Sequence, residues 1–323
     1  MIKIELQGGM HMYHCALCLG LSTQYRIPYT EQIELFKNVG FEAFFINWED
    51  GIDFDEIKRT ADKNGMIIQS MHAPFHKMMH MWEETELTQT AVSELIRCVD
   101  DCILLGTDIM VVHAYIGFEK HSPNEYGIEN YRKVVEYAKI RKIRIAFENT
   151  EGEEYLVALM EAFKDYDNVG FCWDTGHEMC YNYSKDMMAL YGDRLIAMHL
   201  NDNLGIKSFE GKIDWTDDLH LLPFDGIADW NDIADRLNRC GYSGMLTFEM
   251  NNTNKPGRHE NDAYAAMDIP EYITNVYMRA CRFAALKAKR QKKMSEMIAE
   301  RMGEYEKIES DAAQKKHRRN PEL

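Results

Sequence analysis

The 323-residue sequence lacks any apolar run near the ~18 residues that a membrane-spanning helix needs. Its start, Met1–Leu6, has no signal-peptide core. Cysteine is sparse and scattered: there are eight, with a single C-x-x-C from Cys15 to Cys18 and no second pair. No G-x-G-x-x-G follows the first apolar segment, which argues against a dinucleotide-binding fold. These absences predict a cytoplasmic protein whose thiols are reduced and buried.

The net charge is −16, and it is unevenly distributed along the chain. Residues 281–323 carry 12 Lys/Arg against 7 Asp/Glu, so they hold +5 and the remaining 280 residues hold −21. An acidic body repels phosphate backbones at long range, which argues against a nucleic-acid partner. Apolar residues make up 46% of the chain, a composition typical of a globular protein with a sizeable core.

Apolar runs alternate with amphipathic stretches along the chain. The first strand is predicted in Met1–Gln7 or in Tyr13–Leu19. Seven further strands are predicted at Phe41–Trp48, Met66–His72, Asp108–His113, Arg144–Phe147, Val169–Trp173, Leu195–Met198 and Met245–Phe248. Helices are predicted at Tyr29–Val39, Asp53–Asn64, Thr85–Leu105, Tyr126–Arg141, Glu153–Tyr166, Lys185–Tyr191, Asn231–Cys240 and Glu260–Lys289.

Strands that alternate with helices predict a parallel sheet of the α/β class. Eight such units favour a closed (β/α)8 TIM barrel, with a doubly wound open sheet as the alternative. We predict one barrel domain over residues 1–285 and a charged C-terminal helical extension over 286–323, whose last residues are frayed. The extension carries an apolar stripe (Met294, Ile298, Tyr305, Ile308) that could pack on its own barrel or on a neighbouring subunit of a homo-oligomer.

Acidic and imidazole side chains stand at the ends of the predicted strands. The C-terminal ends of barrel strands converge on one mouth, where catalytic residues lie. Six ends carry such a residue: His72, His113, Glu148, Asp174, His199 and Glu249. Buried carboxylates this close repel each other unless a cation compensates them. Two Glu, one Asp and one His form an oxygen-rich set, which favours Mn²⁺, Mg²⁺ or Co²⁺ over a thiolate-type zinc site.

Further candidates lie in the loops that follow these strands. His177 comes three residues after Asp174, in a short predicted loop. Asp218 and His220 are two residues apart, so on an extended segment both side chains point the same way. Glu154 opens a helix, where an acid suits the helix dipole, and it could also face the mouth. Solvated loops and an ordinary helix start are the alternative interpretations of these residues.

These motifs resemble the xylose-isomerase-like TIM-barrel superfamily over roughly residues 13–280. That superfamily includes sugar-phosphate isomerases and epimerases, ketohexose 3-epimerases and the type-four apurinic endonucleases of AP endonuclease family 2. The matching motifs are His72-Ala-Pro-Phe, Val112-His113, Phe147-Glu148-Asn, Trp173-Asp174-Thr-Gly-His177, His199-Leu-Asn-Asp, Asp218-Leu-His220 and Phe248-Glu249. The resemblance specifies the superfamily and leaves its member open.

The epimerase branch implies one divalent metal ion bound by Glu148, Asp174, His199 and Glu249. The metal polarises a carbonyl and its neighbouring hydroxyl. One Glu removes the proton next to the carbonyl to form a cis-enediolate, and the other Glu returns a proton to the opposite face or to the next carbon. His177 would hold a substrate hydroxyl.

The endonuclease branch implies three zinc ions, and this chain matches all nine of their ligands: His72, His113, Glu148, Asp174, His177, His199, Asp218, His220 and Glu249. Ketohexose epimerases usually have an Arg where this chain has Asp218-Leu-His220. The loops after His72 and His113, however, show few Arg to bind phosphates. Four basic residues on the last two loops could hold a phosphate or be solvated: Lys207, Lys212, Lys255 and Arg258.

We therefore expect a metal-dependent isomerase or epimerase that acts on a small-molecule sugar or sugar phosphate. The alternatives are a three-zinc phosphodiesterase that acts on abasic DNA, and a barrel that binds a ligand without catalysis.

Overall fold

The computed structural model describes residues 15–119, 122–206 and 213–319, with side chains described up to residue 300. The alternative first strand at Met1–Gln7 and the candidate residues Lys207 and Lys212 lie outside the described residues. The second alternative for the first strand, Tyr13–Leu19, overlaps the observed β1 at Leu17–Gly20.

Eight parallel strands form one sheet in the order β7-β6-β5-β4-β3-β2-β1-β8. They are β1 Leu17–Gly20, β2 Ala43–Asn47, β3 Ile67–His72, β4 Ile109–His113, β5 Arg144–Glu148, β6 Val169–Asp174, β7 Leu195–His199 and β8 Leu246–Phe248. The two edges meet just past β7, where Leu200 N donates to Thr247 O at 2.8 Å and Glu249 N donates to Leu200 O at 3.3 Å. The sheet is therefore a nearly closed barrel, which confirms the predicted (β/α)8 fold over the open alternative.

Ten α-helices lie among the described residues: α1 Tyr29–Val39, α2 Phe54–Asn64, α3 Thr88–Leu105, α4 Glu125–Ile140, α5 Glu153–Ala162, α6 Thr175–Cys180, α7 Met187–Tyr191, α8 Trp230–Arg239, α9 Asp262–Ala265 and α10 Ile269–Arg319. Three predictions were wrong in detail. The loop expected after β6 is the helix α6, and α5 ends at Ala162 rather than at Tyr166. The helix expected from Glu260 is divided into α9 and α10.

Alternating strand residues divide the barrel into an outer and an inner layer. Large side chains such as Phe147 and Phe171 belong to the main core, which also includes helix residues. The intervening positions on the same strands, Ala146 and Cys172, form a separate small cluster with Ala197 of β7. Successive strand residues point to opposite faces, so the residue two positions after each small one also points inward. That register places Glu148, Asp174 and His199 one layer above the small cluster.

Helix α10 runs along the outside of the barrel and packs against α8. Its Arg290 Nε donates to Asp235 Oδ1 at 2.6 Å, and Asn238 Nδ2 donates to Lys287 O at 3.1 Å. The predicted C-terminal helical extension is confirmed, although residue 286 lies inside α10. The division of the chain at that residue stays a prediction. Among the described residues, the helices include none with both the length and the apolar character needed to cross a membrane.

Asp202, in the loop after β7, is buried and accepts four hydrogen bonds. Its Oδ1 accepts from Asn203 N at 2.9 Å and from Ala228 N at 3.0 Å. Its Oδ2 accepts from Phe224 N at 2.9 Å and from the indole Nε1 of Trp230 at 2.8 Å. Asp202 thus connects the beginning and the end of the long β7–α8 loop with the start of α8. Its role in this structure is to hold that loop in place.

Replacing Asp202 by Ala should lower the free energy of unfolding by roughly 3 to 5 kcal/mol, because several buried donors lose their acceptor at once. Urea unfolding followed by circular dichroism measures the loss. Asp165→Ala, at an exposed position, is the control and should change stability by less than ~0.5 kcal/mol. A loss below ~1 kcal/mol in Asp202→Ala would contradict this role.

Candidate metal centre

Four residues at the barrel mouth form a cluster that we call the inner group: Glu148, Asp174, His199 and Glu249. Each offers one donor atom, and these atoms lie within 4.8 Å of one another. The first three end the consecutive strands β5, β6 and β7, and Glu249 follows β8 directly. Barrel closure next to β7 therefore brings together residues separated by up to 101 positions in the chain.

Glu148 lies at the centre of an imidazole cage. Its Oε1 is 2.7 Å from His199 Nδ1, and its Oε2 is 3.1 Å from His113 Nε2 and 3.2 Å from His72 Nε2. Burial opposes ionisation, but the imidazoles, His199 foremost, outweigh it and hold the pKa of Glu148 well below its usual range. The carboxylate is therefore charged although it is fully buried.

Asp174 is also fully buried, but it has less compensating charge. Burial raises the pKa of its carboxyl to about 6, against the opposing effect of His177. Its Oδ1 accepts from His177 N at 2.7 Å, which caps α6, and its Oδ2 accepts from Asn201 Nδ2 at 2.9 Å. The capping bond fixes the first turn of α6 and places the His177 ring beside the inner group.

A second cluster, the outer group, consists of His177, Asp218 and His220. The two oxygens of Asp218 lie 3.6 Å from His177 Nε2 and 2.9 Å from His220 Nε2. Burial opposes protonation of His220, but Asp218 and then Glu249 outweigh it and raise its pKa to about 9. His220 has φ +49°, a left-handed conformation that is uncommon for a non-glycine residue.

A third set of donors, His72, Glu148 and His199, overlaps the inner group, and His113 lies beside it. The structure therefore brings all nine sequence-matched residues to one mouth. Glu154 is the exception among the candidates: it lies on the exposed side of α5. Glu151, three residues earlier, lines the mouth instead, and its Oε1 accepts from Gly117 N at 2.9 Å.

The donor chemistry of the inner group fits a divalent cation. Three carboxylates converge in a buried space, which is costly without a compensating positive charge. Within the described part of the chain, two buried atoms at the mouth form no hydrogen bond: His199 Nε2 in the inner group and Asp218 Oδ1 in the outer group. Mixed carboxylate and imidazole ligands suit Mn²⁺, Co²⁺, Mg²⁺ and Zn²⁺.

Two asparagines that were not predicted as site residues position Asp174 of the inner group. Asn149 Oδ1 accepts from Asp174 N at 2.8 Å, and Asn149 Nδ2 donates to Asp174 O at 2.9 Å. The other is Asn201, the donor to Asp174 Oδ2. Each follows a predicted ligand by one or two residues, as in Glu148-Asn149 and His199-Leu-Asn201. That proximity was the available signal, but it does not show which way an amide points.

A buried ion pair supports α6 from behind. Arg236 of α8 contacts Glu178 Oε1 at 2.7 Å, and its guanidinium carbon lies 4.5 Å from the centre of the Trp173 ring. Glu178 Oε2 accepts from Trp173 Nε1 at 2.9 Å and from Met187 N at 3.1 Å. Trp173 and Glu178 flank the segment that carries Asp174 and His177, so this network holds the segment against the barrel wall.

Phe45 packs against the inner group from β2. Its ring stacks on the imidazole of His199, with centroids 4.9 Å apart. The close approach depends on Gly20 at the end of β1, where a Cβ atom would lie 2.5 Å from Phe45 Cζ. Any larger residue at position 20 would displace the ring that supports His199.

The mouth opens into a cleft of about 530 Å³. Its wall carries aromatic rings, including Tyr29, Phe75, Phe118, Tyr181 and Trp215, and carboxamides from Gln24, Asn47 and Asn251. Among the described lining residues, the acids Glu49, Glu151, Asp218 and Glu249 face a single Lys or Arg, Lys255. Arg258, a predicted phosphate candidate, is instead buried, at 2.9 Å from Glu260 and 3.5 Å from Asp217.

The fold and the site define a (β/α)8 barrel with a buried acid–imidazole cluster at the C-terminal ends of its strands. A family model described as "Xylose isomerase-like TIM barrel" matches residues 33–270, well over half of the chain. The chain therefore belongs to the xylose isomerase-like TIM-barrel family, as the resemblance predicted.

Individual relatives are more distant. The uncharacterized protein y4fM of Sinorhizobium fredii (strain NBRC 101917 / NGR234) is 31% identical over 154 residues, or 42% of this chain and 48% of that protein. The chain thus spans about half the length of this curated relative. A solved L-ribulose 3-epimerase is 14% identical with TM-score 0.65, covering 88% of this chain and 98% of its own. The IOLI protein with a binding zinc atom is 15% identical with TM-score 0.66, covering 84% and 98%. These two structural likenesses show the fold alone.

Divalent metal should stabilise the fold through the inner group. A metal at ~100 times its dissociation constant adds about 2.7 kcal/mol to the free energy of unfolding, which raises the melting temperature by several degrees. Asp174→Asn keeps an N-cap residue for α6 but removes one ligand charge, so this stabilisation should fall sharply. Differential scanning fluorimetry with Mn²⁺, Co²⁺ and Zn²⁺ measures it.

The matched control is Asp229→Asn, since Asp229 caps α8 at an exposed position. Its metal-dependent shift should equal that of the wild type. Equal shifts in both variants would contradict metal binding by Asp174.

Proposed function

We propose that this protein is a divalent-metal-dependent isomerase or epimerase that acts on a sugar or sugar phosphate by proton abstraction through a cis-enediolate. One observation carries the proposal. Two carboxylates, Glu148 and Glu249, lie 2.7 and 3.4 Å from the same atom, His199 Nδ1, and form one metal-ligating set with Asp174. Two proton-transferring groups thus lie where a bound substrate would meet a metal.

Glu249 is the residue that reaches the substrate from the open side. It lines the cleft and its side chain is 23% exposed, whereas Glu148 is fully buried. A bound divalent ion would polarise the substrate carbonyl and its neighbouring hydroxyl. Glu249 would take the proton from the adjacent carbon to give the cis-enediolate. A proton would return from the buried side through Glu148, whose charged carboxylate first takes it from one of the imidazoles that surround it.

The cleft matches a small polyol better than a polymer. Carboxamides of Gln24, Asn47 and Asn251 can bind hydroxyls, while the rings of Tyr29 and Trp215 can cover the carbon skeleton. A volume of about 530 Å³ is in the range that buries one small ligand. A catalytic role also agrees with the neighbouring structure that is an L-ribulose 3-epimerase by name.

A second candidate function is a three-zinc phosphodiesterase that acts on abasic DNA. Eight of the nine matching residues fall in three donor groups, two of which share Glu148 and His199, and His113 lies beside them, which favours this candidate. The charge of the cleft argues against it, because four described lining acids face one lysine and DNA backbones require basic contacts. We therefore retain the isomerase as the proposed function.

Glu249→Gln should reduce the exchange of solvent deuterium into a substrate sugar at least a hundredfold, since a proton-transferring group is lost while the fold is kept. The measurement is deuterium incorporation by NMR across a panel of ketoses, aldoses and their phosphates, with Mn²⁺, Co²⁺ or Mg²⁺ present. Glu260→Gln is the control, because Glu260 lies on the same loop and contacts Arg258.

Near-normal exchange in Glu249→Gln would rule out the proton-transfer role of this residue. If the wild type exchanges no deuterium with any sugar in the panel, holds three zinc ions per chain and cleaves abasic DNA, the second candidate is the correct function.

A further inference from the structure

The outer and inner groups differ in the charge that they offer a cation. The inner group supplies three carboxylates and one imidazole, whereas the outer group supplies one carboxylate, Asp218, and two imidazoles. Attraction for a divalent ion grows with the number of charged ligands at the site. The single carboxylate of the outer group is therefore the side chain on which any ion there would depend.

Lys255, in the loop after β8, shares that single carboxylate. Its Nζ lies 3.7 Å from Asp218 Oδ2, the same oxygen that is 2.9 Å from His220 Nε2. No described Lys or Arg forms a comparable ion pair with Glu148, Asp174 or Glu249. Among the described residues, a lysine thus stands beside the outer group, and no lysine or arginine pairs with a carboxylate of the inner group.

The surrounding loops hold Lys255 in this place. Its ammonium group lies 5.4 Å from the centre of the Trp215 ring, and its carbonyl accepts from Arg258 N at 3.0 Å. Trp215 begins a single-turn helix, Trp215–Asp217, that starts with a capping box at Asp214. Asn203 Nδ2 donates to Asp217 O at 2.9 Å, which anchors this turn to the barrel.

We infer that Lys255 is a positioning residue that sets the metal content of the mouth. Its ammonium group pairs with the Asp218 carboxylate and repels a cation that approaches the outer group. A metal ion therefore binds at the inner group in preference to the outer group. The outer group then remains a set of hydrogen-bonding side chains that line the cleft and face the substrate. This inference rests on the proposed function. It explains why an enzyme with nine potential metal ligands at its mouth would bind one metal ion.

The test is a zinc-binding curve for the full chain. Wild type, Lys255→Met and Lys255→Arg are stripped with chelator and equilibrated at a series of fixed free Zn²⁺ concentrations, and bound zinc is counted by elemental analysis. Wild type should fill one site first and the outer group only at a free Zn²⁺ concentration at least tenfold higher. Lys255→Met should lower that second midpoint tenfold or more, and Lys255→Arg should keep the wild-type value.

His220→Ala in the Lys255→Met background locates the added ion, because it removes an outer ligand and should abolish the second step. Thermal melts of each stripped protein establish that the variants are folded. A zinc curve of Lys255→Met that overlays the wild-type curve would overturn the role of Lys255. So would a wild-type protein whose tightest zinc is lost on His220→Ala. The isomerase proposal fails by a different result, the absence of deuterium exchange, which leaves these curves unchanged.

Discussion

The structure depends on one buried charge, the carboxylate of Glu148 at the end of β5. A carboxylate without solvent is stable only when polar groups surround it. Here His72 of β3, His113 of β4 and His199 of β7 contact its two oxygens between 2.7 and 3.2 Å. Three strands besides its own must therefore end at the same level along the barrel axis. The barrel geometry and the polar cluster constrain each other, because a displaced strand would remove a partner from this charge.

Period-two alternation in the strands places the chemistry at the mouth. Inside the barrel, Ala146, Cys172 and Ala197 of β5, β6 and β7 form a separate apolar cluster with Ile109 and Val111. Two residues further along, the same strands present a glutamate, an aspartate and a histidine. The outward positions are large and apolar and bury the surrounding helices. A TIM barrel allows this arrangement because its lower layers supply stability while the strand ends and the following loops are free to carry function.

The mouth combines a closely supported interior with a more open exterior. Asparagine amides, the Glu178–Arg236 pair and the Phe45 ring hold the inner group from several sides. Asp218 and His220 of the outer group lie in the long loop after β7, and Asp218 is shared with Lys255. Likeness to solved structures at 14–15% identity shows the fold alone, so function has to be argued from the site.

The sequence by itself determined the barrel and the residues at its mouth, because strand periodicity and the polar residue that follows each apolar run are local properties. Helix α6 was missed since six residues are too short for a helical period to show. The position where a helix starts does not show which of its side chains face the barrel mouth. Glu154 was therefore predicted to face the mouth, whereas it is Glu151 that lines the cleft. Only the tertiary structure decided that Lys255 meets Asp218, 37 positions earlier. Such contacts depend on how two loops pack over the mouth, and no local pattern in either loop encodes that distance.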